Sequence, residues 1–189
     1  PLFTDTLLAT AVAEAVEARL ADRVLLTPAV WLGASGHHLA FPGTLSASFP
    51  AYTGAVESVV RSLLPHGFHK FYLLNGHGGN NEPNGMALRA LKDEFPNATF
   101  GHATYFSFIP DAIVQSVLEG PVRSIRHACE AEASLALHLF PDLVRKDRLR
   151  DDGLSCEPAV RGLVSRFDEI TDEGSWGYAT LGTAAKGER

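Results

Sequence analysis

Apolar residues recur along this chain in two rhythms. Over residues 6–22, Leu8, Val12, Ala15, Val16 and Leu20 follow helical spacing, with Glu14, Glu17 and Arg19 largely off the stripe. That pattern predicts an amphipathic helix, with Thr4 or Asp5 placed to cap it. Val24-Leu25-Leu26 is a short unbroken apolar run and predicts a buried strand. Residues 28–43 hold Gly33, Gly36, Pro42 and Gly43 and read as loop. A second helical pattern spans 50–65 through Val56, Val59, Val60, Leu63 and Leu64, closed by His66-Gly67. Phe71-Tyr72-Leu73-Leu74 has no alternation and suits a strand covered on both faces. The polar glycine turn Asn75–Asn81 follows, then a helix over about 82–95 whose first turn contains Pro83 and Gly85. The spacing predicts a strand over 98–108, a short helix or lid over 110–119 and a helix over 129–140. Beyond 141 the pattern weakens into loops, with a strand-like run at 160–164. Alternating helices and buried strands predict a single α/β domain with a mostly parallel sheet. Ligands bind beyond the carboxyl ends of such strands, which points to the turns after Leu26 and Leu74.

Composition narrows the classes. The 189 residues are 46% hydrophobic and 20% charged, ordinary for a globular domain. A chain of this size buries roughly 70% of its unfolded surface, enough for a core without staples. Sixteen basic against 22 acidic residues leave a formal charge of -6. That balance lacks the basic footprint of a nucleic-acid binder and any polybasic stretch for anionic lipid. No apolar run approaches the ~20 residues of a membrane span, and no signal peptide is visible. Cys129 and Cys156 make neither a disulfide framework nor a metal knuckle, so they read as reduced thiols of a cytoplasmic protein.

The eight histidines are the unusual feature. His77 lies in Asn75-Gly76-His77-Gly78-Gly79-Asn80, where flanking glycines let the backbone turn sharply and present a bare imidazole. The same stretch nearly matches the dinucleotide pattern GxGxxG, but Asn81 stands where the third glycine belongs. His37 and His38 follow Gly33-Ala34-Ser35-Gly36; the pattern is not the GxSxG elbow, because His37 occupies the last glycine position. In His127-Ala128-Cys129-Glu130-Ala131-Glu132-Ala133-Ser134, His127 and Glu130 share a face if the helix is continuous. If His127 lies in the loop before the helix, His127 and Glu132 both reach a site ahead of its N-terminus. Acidic residues in a first turn also complement the helix dipole, so spacing leaves these alternatives open. HExxH and GxxxxGK[ST] are absent. An Asp, several His and one or two Glu on strand-end loops form the donor set of a hydrolytic metal site, and carboxylate with imidazole suits Zn or Mn.

Four ordered stretches, Pro1–Asp5, Gly33–Thr44, Asn75–Asn80 and His127–Ser134, resemble the creatininase-like amidohydrolases across nearly the whole chain. A weaker likeness runs through Gly174–Gly187. The resemblance implies a three-layer α/β/α fold, two divalent ions (Zn and/or Mn, or Fe), hydrolysis of a non-peptide or cyclic amide, and homo-oligomers, typically hexamers. It assigns Asp5 as bridging metal carboxylate, His77 as metal ligand, Glu132 as metal ligand and His127 as acid or base toward the substrate. Ser35 and His38 fall at substrate-side positions, with the Gly78 N–H beside them. Creatininases proper carry a Glu ligand two residues after the turn His. Gly79 stands there, which argues against creatinine itself and leaves formamides or peptides.

Other departures are Cys129 for Gly and Ala133 for Thr in the HAGExETS motif, and Tyr178-Ala179 for the usual Asp-Pro. Of the family's GSxEqHGpHLPlxTD run, which supplies a further Glu and His ligand, only Pro1–Asp5 is present. The expectation is therefore one N-terminally truncated domain, lacking the first strand and under-ligated at its metal pair, with weak metal binding and little hydrolysis. Two readings compete with the hydrolase: a non-catalytic remnant of the fold, and a nucleotide-binding α/β domain using the Gly76 turn.

Overall fold

The computed structural model describes residues 3–154, 160 and 162–189. The chain forms two compact units. The N-terminal unit comprises Asp5–Gly36 and Leu45–Ser107. The C-terminal unit comprises Phe108–Arg189, His37–Thr44 and the residues through Thr4. No helix among the described residues is long and apolar enough to cross a membrane.

The N-terminal unit is built on helices α1 (Thr4–Arg19), α2 (Phe49–Leu63) and α3 (Asn81–Glu94) and strands β1 (Lys70–Asn75) and β2 (Thr99–Thr104). The strands pair in parallel, from Lys70 opposite Thr99 to Asn75 opposite Thr104, with α3 as the crossover. This βαβ unit is the α/β arrangement that the alternating pattern predicts. α2 starts at a Ser48 cap whose hydroxyl accepts the Ala51 N–H, with Pro50 in the first turn. Pro83 is tolerated in α3 for the same reason: first-turn N–H groups have no helical acceptor to lose.

Two clusters make the core of this unit. Ala34, Tyr52, Val56 and Ala87 form one. Val60, Leu88 and the fully buried Leu91 form the other, with Phe71, Leu73 and Phe100 against them. The Phe71 and Phe100 rings stack 5.6 Å apart across the strand pair. The Tyr52 hydroxyl donates to Asn84 Oδ1 at 2.8 Å and so satisfies a polar side chain that is only 1% exposed.

Three expectations are corrected here. Val24–Leu26 is not a strand: the Leu26 N–H donates to Glu17 Oε1 at 2.6 Å, off the end of α1, and Leu25 is 68% exposed. β1 is not covered on both faces, because Tyr72 is 57% exposed and lies over Gly101 of β2. The strand predicted over 98–108 ends at Thr104, and Tyr105–Phe108 curls into a 3₁₀ turn.

The C-terminal unit holds α4 (Asp111–Val117), α5 (Glu130–Leu139), α6 (Ala184–Glu188) and a short antiparallel pair, β3 (Asp151–Asp152) with β4 (Gly177–Tyr178). Its closing segment passes so close to α5 that three glycines, five residues apart, are required. A Cβ at Gly177 would collide with Cys129, one at Gly187 with the Ser134 carbonyl, and one at Gly182 would sit 2.7 Å from the Ala133 methyl. The two substituted positions of the HAG-type motif, Cys129 and Ala133, are thus met by glycines opposite them. Of the 160–164 run, residue 161 lies outside the described residues; Val160, Leu163 and Val164 are exposed and form no strand. Cys156 also lies outside the described residues, whereas Cys129 is a free, buried thiol. Burial and the Glu132 charge push that thiol up, away from the reactive thiolate.

Candidate active site

In the N-terminal unit the site grows from the carboxyl end of β1. Asn75, the last strand residue, accepts the His77 N–H on Oδ1 (3.1 Å) and donates through Nδ2 to the His77 carbonyl (2.6 Å). Its Nδ2 also donates to Asn81 Oδ1, which accepts from Thr104 Oγ1 at the end of β2. Asn80 Nδ2 donates to Asn75 Oδ1, and Asn80 Oδ1 accepts the Ala34 N–H (2.8 Å). Three asparagines therefore fold the turn and tie it to both strands and to the Gly33–Ser35 loop. Gly76 admits the start of α1: a Cβ there would strike the Asp5 carbonyl.

This places the His77 ring, buried to 9% exposure, between two partners. Its Nδ1 lies 3.0 Å from Asp5 Oδ2, and its Nε2 lies 3.2 Å from Ser35 Oγ. Asp5 sits in the first turn of α1 with its carboxylate 38% exposed. Gly78 opens a 3₁₀ turn with free space around its Cα. Asp5, His77, Ser35 and Gly78 all belong to this unit.

The C-terminal unit gathers His38, His127 and Phe167. The imidazoles of His38 and His127 stack with centroids 4.1 Å apart and planes 26° apart. Phe167 lies 4.2 Å from His38 and 4.9 Å from His127, and His37 lies 4.2 Å from His38. His38 is 7% exposed, with its carbonyl held by the Thr44 hydroxyl. Phe167 carried no sequence signal; only its place in space brings it here.

His127 precedes α5, so of the two alternatives left open by spacing, the loop placement holds. Its carbonyl accepts the Trp176 N–H at 2.8 Å, and Ala128 adopts a left-handed φ of 49°. Arg126 stacks on the Trp176 ring at 4.6 Å.

Glu132 is half-buried in the first turn of α5. Glu130 points elsewhere: 3% exposed, it accepts the N–H groups of Glu119 and Gly120 and the Lys186 ammonium at 2.6 Å. Burial alone would raise this carboxyl, but Lys186 and the two amides hold it below its ordinary range.

Among the described residues no three His, Cys, Asp or Glu side chains form a group able to hold a metal ion. Asp5 and His77 do offer an oxygen and a nitrogen donor in contact at a strand end. Those donor types fit a divalent cation, and their number is part of the four to six donors such an ion takes.

The sequence as a whole matches a known family. Residues 1–189 match Creatininase, described as creatinine amidohydrolase. A mycofactocin precursor peptide peptidase of Mycobacterium tuberculosis is 32% identical over 199 residues, covering 100% of this chain and 72% of that protein. A creatinine amidohydrolase of Pseudomonas putida is 35% identical over 167 residues, covering 78% of this chain and 61% of that one. Manganese and zinc–zinc forms of creatininase superpose with TM-scores of 0.82 and 0.80. Both are 29% identical, covering 98% of this chain and 77% and 76% of those chains. The chain belongs to the creatininase family and has its fold, and the relatives that it matches are hydrolases.

Proposed function

We propose that this chain is a metal-dependent amidohydrolase acting on a small non-peptide or cyclic amide, or on a peptide bond treated in the same way. The observation that carries the reading is the contact between Asp5 Oδ2 and His77 Nδ1 at the end of β1. Zn and Mn match these donors, and solved creatininases hold those ions. Asp5 and His77, in contact at the end of β1, are the residues proposed to hold such an ion. A bound divalent ion supplies two things to amide hydrolysis: a water acidic enough to ionise near neutral pH, and a Lewis acid for the carbonyl.

The chain's own groups do the rest. Ser35 Oγ and the Gly78 N–H hold the substrate. His127 gives a proton to the departing nitrogen, because an amine leaves only once protonated. His38, stacked on His127, fixes the plane of that ring. Assembly into a homo-oligomer and a cytoplasmic location are part of the same proposal.

Calorimetric titration with Zn or Mn tests it. Binding should weaken at least about tenfold in Asp5→Ala and His77→Ala, since each removes a direct ligand. Metal affinity indifferent to both changes overturns the assignment. With an amide panel, His127→Ala should lower turnover by about 10²–10⁴-fold with metal content unchanged. Loss of metal instead would make His127 a ligand. Turnover that resists chelators but is stopped by a fluorophosphonate would move the chemistry to the Ser35–His77–Asp5 chain. A folded chain with neither metal nor turnover would favour the remnant.

A further inference from the structure

We propose that Lys186 and Glu130 are positioning residues for His127: their ion pair, a buried carboxylate with a half-buried ammonium, locks the turn 126–130 in the conformation that stacks His127 on His38. The role of His127 in this statement rests on the function proposed above; the geometry does not.

The Glu130 carboxylate is 3% exposed and binds three groups at once. It takes the Glu119 and Gly120 N–H groups at about 3 Å and the Lys186 ammonium at 2.6 Å. Lys186 also reaches Glu119 Oε2 at 2.9 Å and the Leu181 carbonyl at 2.9 Å. One ion pair thus joins the turn after α4, the first residue of α5 and helix α6. The closing segment then grips His127 from the other side. The Trp176 N–H holds the His127 carbonyl, Gly177 abuts Cys129, and Arg126 lies on the Trp176 ring.

Between these anchors sits Ala128 at φ 49°. A side chain in the left-handed region is strained, and such strain persists only where the surroundings over-determine the backbone. Releasing one anchor lets Ala128 return to negative φ. That rotation re-aims the peptide planes on both sides and carries the His127 ring off His38. An ion pair in the interior is weak evidence for stability, since apolar residues of similar volume often serve as well. Its directional hold on three segments is a better reason for it.

The test compares Lys186→Met and Lys186→Arg, each also in an Ala128→Gly background, on the full chain by NMR. The readouts are the ring-to-ring cross-peaks of His38 and His127 and amide exchange at Trp176. Lys186→Met should keep its far-UV spectrum, lose the cross-peaks and exchange the Trp176 amide about tenfold faster. Lys186→Arg should restore both. In the Ala128→Gly background, where the left-handed turn is unstrained, Lys186→Met should lose much less; this coupling is what a merely structural ion pair would not show. If Lys186→Met fails to fold, Glu130→Gln takes its place, since it keeps an oxygen for the two amides and drops the charge. Unchanged cross-peaks in the folded variant, or equal losses in both backgrounds, overturn the proposal. Neither readout uses metal or substrate, so these results stand apart from any failure of the hydrolase reading.

Discussion

His77 is held by Asn75. Asn75 satisfies the His77 N–H and carbonyl and also accepts from Asn80, all at 5% exposure. Asn75→Ala should therefore leave several buried groups unpaired. Denaturant unfolding should show a loss of about 1–3 kcal/mol, and affinity for added Zn or Mn should fall with it. Asn75→Asp, which sets a buried carboxylate oxygen against the His77 and Asn81 oxygens in place of the donor, should cost at least as much. The role of Glu130 was illegible for a plain physical reason. In sequence it and Glu132 are equivalent acids in a first turn. What separates them is Lys186, 56 residues further on, and no local spacing reports that partner. The contact of His77 with Asp5 was likewise unreadable from periodicity, and only the family resemblance paired them.

At the scale of elements, what could be read from the sequence was whatever burial dictates. The runs that became β1, α2, α3 and α5 carry apolar residues that have nowhere else to go, and they appeared where the pattern put them. Leu91 is the clearest case, fully buried between α3 and its neighbours. Leu91→Ala should lower stability by about 2–5 kcal/mol, measured by chemical denaturation, because the helix cannot collapse into the void. Val24–Leu26 misled because three apolar residues in a row state a preference, not a partner. Glu17 took the Leu26 N–H that a strand would have offered to a ladder. Tyr72 misled in the opposite sense: an aromatic ring in an apolar run looks like core, yet its task is to shield Gly101 on the next strand. Here Tyr72→Ser should destabilise modestly, by about 1 kcal/mol or less, since the ring is already more than half exposed.

Across the whole molecule, the family and its α/β fold were readable because four motifs stand in order at family-like spacing, and the match spans residues 1–189. The candidate residues fall in separate units: Asp5 and His77 lie in one, the imidazole stack and Glu132 in the other. The closing segment belongs wholly to the second. Its three close approaches to α5, at Gly177, Gly182 and Gly187, recur every fifth residue. A saturation library over 175–188 should consequently show intolerance with that period, sharp notches at three sites separated by permissive stretches. Chimeras that exchange this segment between relatives should survive only when α5 travels with it, so the two inherit as one block although about 35 residues of sequence lie between them.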